Sequence, residues 1–256
     1  MRLFWCLPLA DACTTIVFDD RALNKEATVT SEGGKTIPIR TSIDVLSSLM
    51  NQGEISRVEL FDQLTKIRRA GYLLIPLSKD ELSYYLDSTS LTNDGALKET
   101  TELKTVREYI LSIKMSHWLQ VPLESNWLDG LVDNLILAKR SLWEEGCDLD
   151  LVKAQSAWIW ALIDPITWRH FYKDVEIRSF RRGWEIAVVC RFCEHLPNVP
   201  EQIEAEYNSW VESTILGYLR EGHPDLFRDF VESYKSHIST VLSELNTGIS
   251  DEKSAQ

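Results

Sequence analysis

Residues 14–20, with the sequence TTIVFDD, decide how the first part of the chain folds. The β-branched and aromatic residues 14–18 predict a short buried strand, which ends abruptly at Asp19 and Asp20. Carboxylates at the carboxyl end of a strand lie where α/β folds place their chemistry. Because successive side chains on a strand point to opposite faces, we expect only one of the two to enter a site unless the chain turns at once. A strand-end turn and helix cap is the alternative interpretation.

Strands and helices alternate after this stretch. The pattern predicts a strand at 36–39, a helix capped by Ser42, a second helix starting at Ser56, a buried strand at 72–77 and a capping box at Ser78. This alternation favours a parallel sheet. Two or three strands are too few for a stable open sheet, so we expect further strands from elsewhere.

The later part of the chain carries a helical pattern. We predict a partial α/β segment over 1–87, a turn-rich linker over 88–97, a domain of antiparallel helices over 98–246 and a disordered tail over 247–256. Helical periodicity covers the following ranges: 98–119, 124–143, 148–163, 165–172, 177–196, 201–220 and 224–245. The predicted fold class is therefore α+β, mostly α.

Charge is distributed unevenly between these parts. The 256-residue chain has a formal net charge of −12. Residues 88–256 hold 17 Lys or Arg against 27 Asp or Glu, a net of −10, whereas residues 1–87 hold 10 against 12. An acidic surface repels phosphate, so general nucleic-acid affinity is disfavoured for the helical domain unless a local basic patch overrides the net charge, but RNA can still be a partner of residues 1–87. The basic group Lys66, Arg68 and Arg69 lies in this first part and suits a solvated helix end.

The cysteines and the apolar runs bear on location. The five cysteines, at positions 6, 13, 147, 190 and 193, are odd in number and irregularly spaced, which favours a reducing compartment. The opening apolar run is about seven residues long, at the short limit for a signal peptide. No apolar run approaches the roughly 18 residues of a membrane span. We therefore expect a cytoplasmic protein without a membrane partner.

Four segments of the α/β part resemble the C-terminal half of a PIN-like nuclease module. These segments are residues 15–24 (TIVFDDRALN), 37–46 (IPIRTSIDVL), 53–56 (GEIS) and 70–77 (AGYLLIPL). The form in question occurs in large bacterial predicted-nuclease proteins, in which a helical, repeat-like region follows the module. The helical part is similar to that region through Met115-Ser116, Leu119, Pro122, Trp127-Leu128 and residues 158–164 (WIWALID).

The resemblance implies a metal-dependent ribonuclease. PIN nucleases cleave RNA with three or four carboxylates that hold Mg²⁺ or Mn²⁺, and the metal lowers the pKa of a bound water. Asp19 and Asp20 match the late acidic positions of that cluster, with Asn24 and Arg21 as polar and basic support. The family's first strand, with its leading Asp, and the helix carrying the next acid have no counterpart before residue 11. We therefore expect an incomplete metal site, and RNA hydrolysis only if the missing N-terminal half is supplied.

Two further clusters have plain structural interpretations. Cys190, Cys193 and His195 suggest zinc, but a structural zinc site needs four ligands and no second CxxC is present, so we expect packed thiols. The arginines within 178–184 mix with aromatic residues as RNA-binding surfaces do, yet in so acidic a domain we expect them to pair with carboxylates. The functional alternative to the nuclease is a non-catalytic regulatory protein whose acidic helical domain binds a protein partner.

Overall fold

A computed structural model describes residues 13–19, 27–31, 33–116, 125–145, 148–172, 178–196 and 199–236. The fold is α+β and mostly α, as the sequence predicts. The chain divides into two units, Met1–Ile75 and Pro76–Gln256. The predicted tail over 247–256 lies outside the described residues. Over the ranges described, no helix has both the length and the apolar character that crossing a membrane requires.

A three-stranded sheet organises the first unit. Strand β1 (Ile16–Val17) pairs in parallel with β3 (Thr36–Arg40), and β2 (Thr28–Thr30) pairs antiparallel with the other edge of β3. The predicted strand at 36–39 is confirmed, and so is the parallel pairing of β1 with β3. The stretch 14–18 does contain a strand, but it spans only Ile16–Val17 and is not buried as predicted: Val17 is 49% and Phe18 37% exposed, because β1 lies at an edge of the sheet that the described residues form. The sheet is mixed because β2, which the sequence did not predict, runs the opposite way.

Helices α1 (Ser42–Asn51) and α2 (Arg57–Arg69) follow the sheet. Each begins with a capping box, formed by Thr41 with Asp44 and by Ser56 with Glu59. The cap of α1 is therefore Thr41, and Ser42, which we predicted as the cap, is the first helical residue.

The predicted strand at 72–77 is wrong. No residue of this segment is in a strand. Leu74 has a φ of +55°, which is incompatible with a continuous strand, and Pro76 has no N–H to donate to a ladder. The apolar residues Ile75 and Leu77 are nevertheless buried. The hydrophobic pattern therefore predicted the burial of this segment correctly, but not its backbone conformation.

The second unit begins earlier than the helical domain that we predicted from residue 98. Helix α3 (Lys79–Leu86), predicted from its cap Ser78, packs against α4 (Thr101–Ser116) and α5 (Ser125–Glu145). Between α3 and α4, the interval predicted as a linker contains a hairpin of β4 (Ser90–Leu91) and β5 (Leu97–Lys98). The turn-rich sequence that suggested a linker is the hairpin's turn, where the Thr92 N–H donates to the Ala96 carbonyl at 2.8 Å.

The remaining helices occupy the ranges that periodicity predicted. They are α6 (Leu149–Ile163), a 3₁₀ helix (Pro165–Tyr172), α7 (Arg178–Phe192), α8 (Glu201–Trp210), a π-helical segment (Val211–Leu216), α9 (Gly217–Gly222) and a helix, α10, described over 224–236.

Large aromatic rings fill the core of the second unit. The Trp143 ring lies 5.1 Å from the Tyr207 ring and 5.7 Å from the Trp210 ring. The indole N–H of Trp143 donates to the Ser156 hydroxyl at 2.9 Å, so this fully buried ring keeps its hydrogen bond. The core thus joins α5, α6 and α8.

Candidate functional site

Asp19 lies just past the end of β1, at the start of α1. The parallel register places Val17 opposite Arg40, and the Phe18 N–H continues the ladder by donating to the Arg40 carbonyl at 2.8 Å. Two residues further along each chain segment, Asp19 meets Ser42. Asp19 Oδ1 accepts the Ser42 backbone N–H at 2.7 Å, and Oδ2 accepts the Ser42 hydroxyl at 2.5 Å.

Through this contact Asp19 adds to the capping of α1 by Thr41, from the end of a strand distant in sequence. The first amides of a helix lack intrahelical partners and carry partial positive charge, so a carboxylate there is stabilising. Both interpretations of Asp19, site residue and helix cap, were open from the sequence. The structure shows Asp19 in a capping contact, and its role in a site stays a prediction.

A second carboxylate at the same helix end belongs to Asp44. Its Oδ2 accepts the Thr41 N–H at 2.8 Å and the Thr41 hydroxyl at 3.0 Å, while the Asp44 N–H donates to Thr41 Oγ1 at 3.1 Å. We did not single out Asp44 from the sequence, although Thr41 three residues before an acidic residue is a capping-box signal.

The described residues do not form a metal site around Asp19. Asp20, Arg21 and Asn24 lie outside the described residues. Elsewhere, in the ranges that the structure describes, no three His, Cys, Asp or Glu side chains come together as a metal site would need. These residues therefore do not by themselves fit Mg²⁺ or Mn²⁺, which in a PIN-like site would need three or four carboxylates.

The basic group near the end of α2 is not one solvated patch. Lys66 pairs with Asp62 at 2.6 Å, and Arg69 is exposed. Arg68 is buried, contrary to our expectation, because it falls on the same helix face as Leu64 and Leu60. A continuous cationic surface for RNA is therefore not present on this helix.

The surroundings of Cys190, Cys193 and His195 agree with the expectation that the two cysteines are packed thiols. Burial raises the pKa of the Cys193 thiol to about 12 and also raises the pKa of Cys190, so both thiols stay protonated. His195 Nδ1 lies 3.0 Å from Glu204 Oε1. Zinc needs thiolates, and these surroundings disfavour them.

The arginines at the start of α7 pair with a buried carboxylate. Glu185, with 1% of its side chain exposed, lies 2.8 Å from Arg169 Nε, 3.1 Å from Arg182 Nη1 and 3.5 Å from Arg181 Nε. Arg182 also reaches Asp229 of α10 at 2.9 Å. The predicted structural pairing is confirmed for Arg181 and Arg182.

Two buried polar networks were missed from the sequence. Lys139 donates to the Phe192 carbonyl and to the Tyr207 hydroxyl, both at 2.8 Å. In the other network, Lys114 donates to the Thr167 hydroxyl at 2.8 Å. Asp164 accepts from the Tyr218 hydroxyl at 3.0 Å. Burial is the main reason that the pKa of each lysine falls to about 8 and that the pKa of Asp164 rises.

A signal for Lys139 was nevertheless present in the sequence. It stands on the apolar stripe of α5, four residues after Leu135 and four before Trp143, where side chains share one helix face.

Comparison with known proteins returned no relatives: no protein-family model, no curated protein and no solved structure matches this chain.

Proposed function

We propose that residues 1–87 are a partial PIN-like module, and that it hydrolyses RNA only when the missing N-terminal half of the module, with its carboxylates, is supplied to complete the metal site. The observation that carries this proposal is the position of Asp19: at the carboxyl end of a strand in a parallel pair, yet with both oxygens bound by Ser42. The position suits the chemistry of an α/β fold, whereas the contacts suit a helix cap.

The test is RNA cleavage by the purified chain with Mn²⁺. Labelled single-stranded RNA is incubated with the wild type, with Asp20→Asn and with Asp19→Asn. We expect no cleavage by the wild type above the level of Asp20→Asn. Mn²⁺-dependent cleavage that Asp20→Asn abolishes would show that the chain holds a complete site and would overturn the proposal.

The helical domain supports a second candidate function, the binding of a protein partner. Leu111 and Met115 stand four residues apart on the same face of α4, and both are exposed, Met115 to 79%. Large apolar side chains exposed together on one helix face are typical of interaction surfaces.

A pull-down combined with light scattering tests this second candidate. We expect the tagged wild type to recover a stoichiometric partner, and Met115→Glu to lose it. The matched control is Lys104→Glu, an exposed change on the same helix that should retain the partner. A wild-type protein that recovers no partner and remains monomeric contradicts partner binding.

A further inference from the structure

A shallow trough of about 620 Å³ lies in the second unit, between the β4–β5 hairpin and helix α6. Its hairpin side includes Gly95, Ala96 and Lys98, and its α6 side includes Ala154, Ala157 and Trp158. The volume falls within the roughly 300–1,000 Å³ that ligand sites commonly have. The trough is open to solvent, so it suits an exposed segment of a partner chain better than an enclosed small molecule.

Small side chains keep the trough open. Ala154, Ala157 and Trp158 are spaced three and four residues apart, so they share one face of α6. Neither alanine is fully buried, and Gly95 and Ala96 oppose them from the hairpin without bulky side chains. The surface between them is therefore an apolar floor that nothing in the described residues fills.

The aromatic ring at the end of this floor is held in place. The Trp158 indole N–H donates to Glu99 Oε1 at 2.7 Å. Glu99 in turn accepts two hydrogen bonds from Arg107, at 2.6 and 2.9 Å. This bidentate pair fixes the carboxylate, and the carboxylate fixes the ring, so a ligand stacking on Trp158 would not have to immobilise it.

The rim supplies a charge. Lys98, the last residue of β5, is exposed beside the trough. Its ammonium group complements a carboxylate on whatever occupies the floor. A nucleic acid is disfavoured despite the aromatic ring, because Lys98 is the one cation among the described residues that line the trough. One cation suffices for a single carboxylate but not for a row of phosphates, where residues 88–256 carry a net charge of −10.

We propose that the trough binds a short extended peptide of a partner protein that places an apolar or aromatic side chain against Trp158 and a carboxylate against Lys98. The proposal rests on the protein-binding function proposed for the helical domain. It names a surface different from the Leu111 and Met115 face of α4 and a definite partner chemistry: an acidic residue close in sequence to a large apolar one.

Peptide display against the full chain tests the trough. A random library of peptides about a dozen residues long is selected on the wild-type protein. We expect enriched peptides to pair Asp or Glu with a large apolar residue. Ala157→Arg fills the floor with a long charged side chain and should weaken binding of these peptides by about tenfold or more. Lys98→Glu should reverse the preference from acidic to basic peptides.

Two controls separate the trough from other causes. Lys66→Glu changes an exposed lysine of the first unit that does not line the trough and should leave peptide affinity unchanged. Thermal unfolding of each variant shows whether its fold is intact. If Ala157→Arg does not fold, Lys98→Glu still tests the proposal, because Lys98 is exposed and its replacement should not affect folding.

Three outcomes overturn the proposal: no enrichment, enrichment of basic peptides by the wild type, or enriched peptides whose affinity survives both Ala157→Arg and Lys98→Glu. The last of these would leave protein binding by the helical domain standing, since the peptides would then bind elsewhere on the chain. If instead the pull-down recovers no Met115-dependent partner while the peptide selection gives the expected result, partner binding by the α4 face is contradicted and peptide binding by the trough stands.

Discussion

The ammonium group of Lys139 lies within the core of the helical unit, with 1% of the residue exposed. It stands 4.7 Å from the centre of the Tyr207 ring and 5.1 Å from that of Phe192, and it donates two hydrogen bonds. These contacts offset part of the lost hydration, but burial still lowers the pKa to about 8 from 10.5. As pH rises, the folded protein therefore releases this proton before the unfolded chain does.

The sign of the resulting pH dependence follows from that order. Above about pH 8 the unfolded state binds more protons at this site than the folded state, so the contribution of Lys139 to stability rises with pH. We predict that the difference in unfolding free energy, wild type minus Lys139→Met, increases by about 2 kcal/mol between about pH 7 and pH 9.5. Urea denaturation at each pH measures it, with the exposed Lys104→Met as control. A flat difference contradicts a pKa near 8.

Glu185 is a buried acid in the same unit, and like Lys139 it has 1% of its surface exposed. It is the shared partner of Arg169, Arg181 and Arg182, and Gln in its place keeps the shape but removes the charge. We predict that Glu185→Gln lowers the unfolding free energy by about 3 kcal/mol, because clustered arginines would lose their counter-charge at a buried position.

The matched control for this change is Glu194→Gln. Glu194 pairs with Arg140 at 2.7 Å but is 59% exposed, so its loss should cost about 0.5 kcal/mol or less. Equal losses for the two variants, measured by urea denaturation, would contradict a special role of the buried cluster.

Local signals predicted single elements well. The capping residues Ser56 and Ser78 lie within the helices' own sequence, so no distant contact is needed to recognise them. β2 was missed because a three-residue strand owes its hydrogen bonds to β3 and not to its own pattern. The Asp19–Ser42 contact depends on another long-range pairing, that of β1 with β3, which a single sequence does not report.

The end of α2 is an element whose stop signal can be tested. Gly71 has a φ of +83°, its N–H donates to the Arg68 carbonyl at 3.0 Å, and the Tyr72 N–H donates to Ile67 at 3.4 Å. This is a Schellman motif, which favours glycine at that position. We predict that Gly71→Ala lowers the unfolding free energy by about 1 kcal/mol.

Gly130 provides the opposite control. It lies inside α5, and a Cβ added there would meet no atom within 4 Å. Gly130→Ala should therefore raise the unfolding free energy by up to about 1 kcal/mol, since alanine favours a helix interior. Thermal unfolding compares the two variants, and a shift in the same direction for both would contradict the backbone argument.

The division of the whole chain was the least predictable feature. A polar, turn-rich stretch at 88–97 is typical both of a linker and of a hairpin turn, and only packing distinguishes them. In the structure α3 joins the second unit because Leu82 and Leu86 are fully buried and the helix packs against α4 and α5. The side chain of Gln155 adds hydrogen bonds to the Leu86 carbonyl and the Thr89 hydroxyl, both at 3.0 Å.

This division predicts which shortened chain folds alone. A chain over 76–256 keeps α3 and should unfold cooperatively with native helical content. A chain over 98–256, which starts at the boundary predicted from sequence, loses the buried side chains of Leu82, Tyr85 and Leu86. Losing a buried leucine costs about 2–5 kcal/mol even when alanine replaces it, and total stabilities are about 5–15 kcal/mol.

We therefore expect the shorter chain to show non-cooperative thermal unfolding by circular dichroism and to bind a hydrophobic dye. Comparing these two chains isolates the contribution of α3 and the hairpin, because both lack the first unit. If 98–256 unfolds as cooperatively and at the same temperature as 76–256, α3 is dispensable and the boundary near residue 75 is wrong. If 76–256 alone is folded, the helical unit's core is complete from Pro76 onward, and the trough between the β4–β5 hairpin and α6 can be tested for peptide binding on that chain.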